Sequence, residues 1–496
     1  MNLTELRSKH PVFHYQSFDI SETKEQLDIS FDFLLEPDIR FRPRLQIPLI
    51  EQINTEEIRP LVFNLGLVEA ISYWKAACPP VFSVEAGLLN EDQISWWHDL
   101  FIHGLGEFYY RNNIEFTKKD FLIINYDSNG ISHPGLDPGS SIKSMDSGSK
   151  AGMTNLKGDL ILVGGGKDSI VTLEVTKNLA DRRQVMLLNP NPAMFNVSKL
   201  AGFPNPIIIK RTIDPKLLEL NGKGYLNGHT PFSAYLAFLS LLIAKVYNFQ
   251  NVLASNEQSA SVGNISFHNL EINHQYSKSL RFEKMFREYC QKYFSSSSSH
   301  SRAGGNPVLN LAKTGSPIGV GDDDVLPEYF SFLRPLSELQ IAMLFSKFPQ
   351  YFPVLNSCNV GRGKYWCGKC PKCAFVYLIL SPFIPTEKLI KLFYKDLLDD
   401  KALTRIFLDL VGLDGFKPFD CVGTKEESCE AVSLTLAKYK KEGRELPKNL
   451  TILKEKLKIS GPVNTEIIRK NLKAHWNSHN FLPEEYNKVL RNSLTK

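Results

Sequence analysis

The chain has 496 residues, enough for two or three domains with separate cores, and its 43% hydrophobic and 22% charged content is ordinary for a soluble protein. A net charge of +5, spread without long single-sign runs, is too mild to argue for a nucleic-acid partner. The N-terminal MNLTELRSKHPVFHYQ carries no apolar signal core. The longest apolar stretch, 232–247, is broken by Ser233, Ser240 and Lys245 and falls short of the roughly 20 residues a membrane span needs. A cytoplasmic location without a membrane span is therefore expected, with the eight cysteines as free thiols or metal ligands rather than disulfides.

In chain order, 1–125 reads as an α+β N-terminal domain on the substrate side. It mixes strand-like runs, FDFLLEP and LVFNLGLV, with the helical pattern NEDQISWWHDLFIHGLGEFYYRNN. Residues 126–155 and 295–324 are each close to half Gly, Pro and Ser and lack any strand or helix period. Both are expected to be disordered surface insertions, the alternative being active-site lids. Between 158 and 257 strand and helix patterns alternate: LILVG, then DSIVTLEVTKNLADR as a helix, QVMLLNP, PIIIKR, TPFSAYLAFLSLLIAKVYN as a helix capped by Thr230 with Pro231 in its first turn, and NVLASNE. Strands separated by such helices imply parallel βαβ units, hence an α/β domain built on a doubly wound parallel sheet, here 156–385. Residues 386–496 read as a charged helical tail.

LILVGGGKDSIVTLE (160–174) runs from a strand into three glycines, then Lys-Asp-Ser at the head of a helix. In doubly wound sheets ligands bind beyond the carboxyl ends of the strands. Glycines there let the backbone turn sharply and present N–H groups to an anion, and the helix start adds partial positive charge. Gly164, Gly165, Gly166, Lys167, Asp168 and Ser169 thus form a candidate phosphate loop, against the alternative of a ligand-free connector. A Walker loop is excluded, because Ile161 stands at its first glycine and Asp168 follows the lysine; the dinucleotide G-x-G-x-x-G is excluded by Ser169. What remains resembles the S-G-G-x-D-S loop of the N-type ATP pyrophosphatases, which adenylate a carboxylate, amide or carbonyl oxygen and release pyrophosphate. The resemblance implies that the Gly165 and Gly166 amides and the Ser169 hydroxyl hold the pyrophosphate end of ATP. It also implies that Lys167 adds positive charge and that Asp168 holds Mg²⁺. Gly164 replaces the usual leading serine, which removes one hydroxyl contact.

Cys358, Cys367, Cys370 and Cys373, spaced C-x8-C-x2-C-x2-C, suit a tetrahedral structural Zn²⁺, with an iron–sulfur cluster as the alternative. The spacing is similar to that of 7-cyano-7-deazaguanine synthase, another pyrophosphatase-loop enzyme. Cys78, Cys290, Cys421 and Cys429 show no such pattern and are expected to be buried thiols. The segments LVFNLGLVEAISYWKAACPP, WWHDLFIHGLGEFYYRNN, GGGKDSIVTLE, LASNEQSASVGN and CGKCPKCAF resemble the UDP-N-acetyl-alpha-D-muramoyl-L-alanyl-L-glutamate epimerase family, over nearly the whole chain except the two insertions. That resemblance implies ATP- and Mg²⁺-dependent conversion of the terminal L-Glu of the UDP-muramoyl dipeptide into D-Glu through carboxylate adenylation, in peptidoglycan precursor synthesis.

The proton-transfer groups are not legible. His103 and Glu107 lie four apart on an expected helix, as a catalytic or merely half-exposed polar pair. His229, His268 and His274 are lone histidines, His268 being the one placed among the catalytic candidates with Lys167, Asp168 and Glu257. Glu257, just past the third parallel strand, is a candidate for Mg²⁺ or substrate, with Asn256, Gln258 and Ser259 beside it. Asn189 ends the second strand, where adenine or ribose lies in the superfamily. Trp74 and Lys75 could meet the nucleotide-sugar or belong to the core. Arg362, Lys364, Lys369 and Lys372 could meet UDP phosphates or form a solvated rim. Two rival functions stay open: a deazapurine or tRNA-base synthase of the same superfamily, and a non-catalytic nucleotide- or RNA-binding zinc protein.

Overall fold

The computed structural model describes residues 2–126, 156–294, 326–461 and 463–495; the two expected insertions lie, but for Tyr126, outside these. The described strands are β1 (Val12–Glu22), β2 (Gln26–Leu35), β3 (Ile39–Phe41), β4 (Arg44–Pro48), β5 (Val81–Val84), β6 (Ile123–Tyr126), β7 (Asp159–Leu162), β8 (Arg183–Leu188), β9 (Ile207–Thr212), β10 (Asn251–Ala254), β11 (Ile265–Phe267), β12 (Leu270–Ile272) and β13 (Glu328–Ser331). One 11-stranded sheet runs β13-β10-β7-β8-β9-β4-β2-β1-β5-β6, with β3 beside β2, while β11 and β12 form a separate hairpin.

The five strands β13, β10, β7, β8 and β9 are parallel to one another. The chain lays down β7, β8 and β9 in one direction, then returns to place β10 on the other side of β7. That reversal makes the carboxyl end of β7 a topological switch point, where the connections leaving β7 and β10 diverge and open a crevice. Successive strand residues feed opposite cores, as the pleat requires. Leu160 and Val252 face one core with the helices Phe232–Val246 and Leu280–Tyr293, whereas Ile161 and Leu253 face the other with Glu338–Phe345 and Pro371–Leu380. The sheet is parallel-dominated and covered on both faces, so the chain is of the α/β class.

The N-terminal strands do not build a separate sheet. β4 pairs antiparallel with β9, Arg44 opposite Thr212 and Gln46 opposite Lys210, and one hydrophobic core runs across the join. The expected boundary near residue 125 therefore does not cut the sheet. Beside the join, the Arg211 guanidinium makes two parallel bonds to the buried Glu69 carboxylate, 2.8 and 2.9 Å long, and lies 4.5 Å over the Tyr235 ring.

Two local expectations are corrected. LVFNLGLV is not a strand but the middle of the 20-residue helix Thr55–Trp74, capped by Asn54. Its residues are buried all round, and a continuous apolar run carries no period that separates a buried strand from a buried helix. Thr230 does not cap the helix Phe232–Val246; Pro231 occupies that position without a side-chain cap. From Thr386 onward the regular elements among the described residues are all helices, joined by irregular segments such as 411–424. No helix among the described residues is long and apolar enough to cross a membrane.

Glu69→Ala should be strongly destabilising, by about 3–5 kcal/mol, because it strands a buried guanidinium. The check is a chemical-denaturation midpoint, which Glu69→Gln should lower less.

Candidate active site

The glycine loop lies at the switch point. After β7 the chain passes through Val163 and Gly164 to Gly165, whose φ is +80°. A Cβ there would also sit 3.1 Å from the Ala193 Cβ and from the Met194 nitrogen. Glycine is thus required at 165 by backbone conformation and by packing together. Around Gly164 nothing lies within 4 Å of where a Cβ would be, so its side chain is not excluded by crowding. Gly166 is the N-cap of the helix Lys167–Val175 and provides no side-chain cap, leaving first-turn N–H groups for an anion. Ser169 donates to the Gly166 carbonyl (3.0 Å), and the Thr172 hydroxyl meets Ser255 beyond β10 (2.8 Å), which pins the two diverging connections together.

Lys167 is brought to the loop but turned inward. Its side chain is 3% exposed, and its ammonium pairs with Asp168 (2.5 Å) and with the buried Glu338. The expected direct positive charge toward phosphates is thereby redirected into the protein, where it balances two carboxylates. Burial opposes ionisation of Asp168, but Lys167, Lys372 and Lys278 hold its carboxyl below the usual range, and its side chain stays 27% exposed. The Glu338 amide donates to the Glu427 carboxylate (2.7 Å), and Glu427 caps its own helix through Thr424. Burial and the neighbouring Glu338 push Glu427 up to about 7. Glu257 is buried beside this group, and its charge acts on Glu338, Glu427 and Lys278. Glu338, Glu427 and Lys278 were absent from the expected site.

The other candidates separate. Asn189 immediately follows β8, but its side chain is committed to the Arg211 backbone, donating to the carbonyl (2.7 Å) and accepting from the amide (2.9 Å). His268 lies exposed in the turn of the β11–β12 hairpin at φ +49°, packed on the Phe267 ring. Its described contact is thus on the hairpin and not with the loop. His103 and Glu107 do not pair, because the helix breaks at Leu105; His103 stacks on Tyr276. Glu107 instead meets His274, with His229 3.6 Å away, and Arg111 completes its ion pairs. Gln258 meets His475 (2.9 Å), Asn256 donates to Ser331 (3.0 Å) and Ser259 is buried. Trp74 belongs to the core, and Lys75 reaches the Gly228 carbonyl. Arg362, Lys364 and Lys369 are exposed, whereas Lys372 is buried against the Cys421 carbonyl.

A cavity of about 400 Å³ adjoins the loop, lined by Pro192, Ala193, Asn356 and Trp366, with Lys388 and Lys391 at its polar edge. Its wall and the loop are tied by the Asn356 amide, which donates to the Gly165 carbonyl (3.2 Å).

The four expected metal-ligating cysteines converge. Sulfur separations of 4.0 Å (Cys358–Cys370), 3.7 Å (Cys367–Cys373) and 3.5 Å (Cys370–Cys373) are far too long for disulfides. They match the roughly 3.8 Å edge of a tetrahedron with metal–sulfur bonds of about 2.3 Å. The Gly361 amide donates to Cys358 (3.2 Å), the kind of support a thiolate ligand takes. The cluster could hold zinc. Cys78 and Cys290 are buried thiols as expected, but Cys421 and Cys429 are only partly buried.

Residues 4–300 match the MurL N-terminal domain, and residues 354–458 match the MurL C-terminal domain. The chain belongs to the MurL family. It is 32% identical to a UDP-N-acetyl-alpha-D-muramoyl-L-alanyl-L-glutamate epimerase of Salinispora tropica over 435 residues, 85% of this chain and 84% of the relative. Enzymes of the same name from Micromonospora sp. (33%; 75% and 73% of the two chains) and Xanthomonas oryzae pv. oryzae (30%; 77% and 75%) are similarly related. No solved structure matches. The MurL N-terminal match runs through the glycine loop and ends well beyond it, in keeping with a sheet shared by the two halves of the chain.

Purified protein should carry about one zinc per chain by elemental analysis, and Cys373→Ser should lower both metal content and melting temperature. Iron with visible absorption would identify a cluster instead.

Proposed function

We propose that this MurL-family protein is an ATP- and Mg²⁺-dependent epimerase of peptidoglycan precursor synthesis. It would convert the terminal L-Glu of UDP-N-acetylmuramoyl-L-Ala-L-Glu into D-Glu and release AMP and pyrophosphate. The observation that carries the reading is the uncapped glycine loop at the switch point, with the partly exposed Asp168 at the head of its helix. The named relatives support the epimerisation, and the loop supports a nucleotide as the source of activation.

An ionised α-carboxylate makes the neighbouring C–H a very weak acid, because removing the proton would add a second negative charge beside the first. Joining that carboxylate to the α-phosphorus of ATP removes its charge and leaves an acyl carbonyl that can delocalise a carbanion. This explains why an epimerase would consume ATP and need no pyridoxal phosphate. The Gly165 and Gly166 amides would orient the departing pyrophosphate, with the helix start adding partial positive charge. The single partly exposed carboxylate fits Mg²⁺, which commonly takes one or two protein carboxylates and completes its shell with phosphates and water. Asp168 would hold it there, and the ion would supply charge neutralisation for the triphosphate. Lys167 pairs with Asp168 and Glu338 without exposing itself, holding Asp168 below the usual carboxylate range while burial still pushes Glu338 above it. The 400 Å³ cavity adjoining Gly165 through Ala193 and Asn356 is of a size for the adenosine. With Asn189 committed to Arg211, recognition of the nucleoside passes from that side chain to this cavity wall.

Incubation with ATP, Mg²⁺ and the L-Glu dipeptide in deuterated water should give AMP, pyrophosphate and D-Glu deuterated at the α-carbon. AMP release elicited by a carboxy-deazapurine or tRNA in place of the dipeptide would overturn the proposal. Asp168→Asn should reduce AMP formation by about 100-fold or more in a protein that still folds, with a lowered melting temperature because the buried Lys167 loses one of its two charged partners. Gly164→Ser should fold normally, since its side chain enters open space, and should lower the KM for ATP through the restored hydroxyl.

A further inference from the structure

A second polar constellation stands beside the loop and is not used by the adenylation chemistry. The Cys421 sulfur lies 3.4 Å from the Lys278 ammonium and 4.0 Å from His274 Nε2. On its other side the His274 ring donates from Nδ1 to Glu107, which can only accept as a carboxylate, so Nε2 is the nitrogen aimed at the sulfur. His229 packs on His274 with ring centres 4.5 Å apart, and Arg111 pairs with Glu107. The backbone is fixed as well. The His274 amide donates to Asn264 (2.8 Å), Asn264 reaches the carbonyls of Lys417 and Pro418, and Lys372 reaches the carbonyl of Cys421.

Sulfur, imidazole and carboxylate in this order form the arrangement that activates a thiol. The position matters as much as the order. The half-buried Lys278 meets the Cys421 sulfur and also feels the charges of Glu257 and Asp168, so the sulfur and the phosphate loop share one ammonium's electrostatic neighbourhood. Cys421 is also partly exposed, as a group that meets substrate must be.

We propose that Cys421 is the group that exchanges the α-proton of the activated glutamyl residue, with His274 and Glu107 as positioning residues. The inference rests on the adenylation reading. The thiolate takes the proton from one face of the α-carbon: the C–H bond breaks, an S–H bond forms, and the electron pair delocalises into the acyl oxygen. Water gives a proton to the opposite face, and the hydroxide left behind recovers the proton from the Cys421 thiol. No oxidant or reductant is required. The electrostatics agree: against the opposing effect of burial, Lys278, His274 and Lys372 bring Cys421 down to about 6. His274, also against burial, is raised to about 9 by Cys421 and Glu107. The two shifts run in opposite directions, and both favour a thiolate facing an imidazolium.

The experiment follows AMP release and α-deuterium incorporation side by side, in deuterated water with ATP, Mg²⁺ and the L-Glu dipeptide. Cys421→Ala and Cys421→Ser should release AMP within a few-fold of the unmodified protein and return L-Glu. Their deuterium incorporation and D-Glu formation should fall by about 100-fold or more. His274→Gln should lower deuterium incorporation about tenfold and leave AMP release in place, a split that a merely structural residue would not give. Undiminished deuterium incorporation by Cys421→Ala or Cys421→Ser overturns the proposal. So does loss of AMP release together with exchange in a folded variant, which would make Cys421 a substrate-binding group. The serine variant serves where alanine fails to fold. Absence of AMP from the unmodified protein would sink the adenylation reading alone, and Cys421 would still be judged on deuterium incorporation.

Discussion

An ammonium group with almost no exposed surface ties the glycine turn to the rest of the molecule. Lys167 leaves the head of its helix, turns inward and ends between Asp168 and Glu338. Two carboxylates this close would repel, and one would take up a proton unless a cation stood between them. Glu338 in turn begins a helix whose first amide is bound by Glu427, so the turn, the helix after β13 and the C-terminal helices share one charge-balanced junction. The cost of desolvating so many charges is offset only while all the partners are present. A site of this kind is fixed in position before any ligand arrives.

The same economy of placement links the two halves of the chain. Glu107 comes from the N-terminal region, His229 and His274 from the segments flanking the helix Phe232–Val246 and the hairpin, and Cys421 from the helical tail. They meet because the sheet is continuous from β13 to β6. The buried pairing of Arg211 with Glu69 braces the seam where β9 meets β4.

Much of the frame was legible in the residues. The alternation of strands and helices after 158, the turn GGGKDS and the four cysteines each follow a local pattern, and local patterns survive folding. The run LVFNLGLV misled because complete burial erases the period that tells helix from strand. The inner site was illegible for a different reason. Lys167 and Glu338 are 171 positions apart, Glu107 and His274 167, and His274 and Cys421 147. Nothing in spacing announces such meetings. Cys421 read as an ordinary thiol because what sets it apart, the lysine and histidine around it, is contributed by distant segments. His268 and His274, six residues apart, could be told apart only by the hairpin that exposes one and turns the other inward.

The antiparallel junction between β9 and β4 has a consequence for how the molecule can be divided. A fragment beginning after the N-terminal half would present β9 with a bare row of backbone donors and acceptors, an invitation to pair with another chain. The half that carries the glycine loop is for that reason no free-standing module. Its solubility depends on the strands laid down before it, and the order of synthesis supplies that shield before the vulnerable edge emerges.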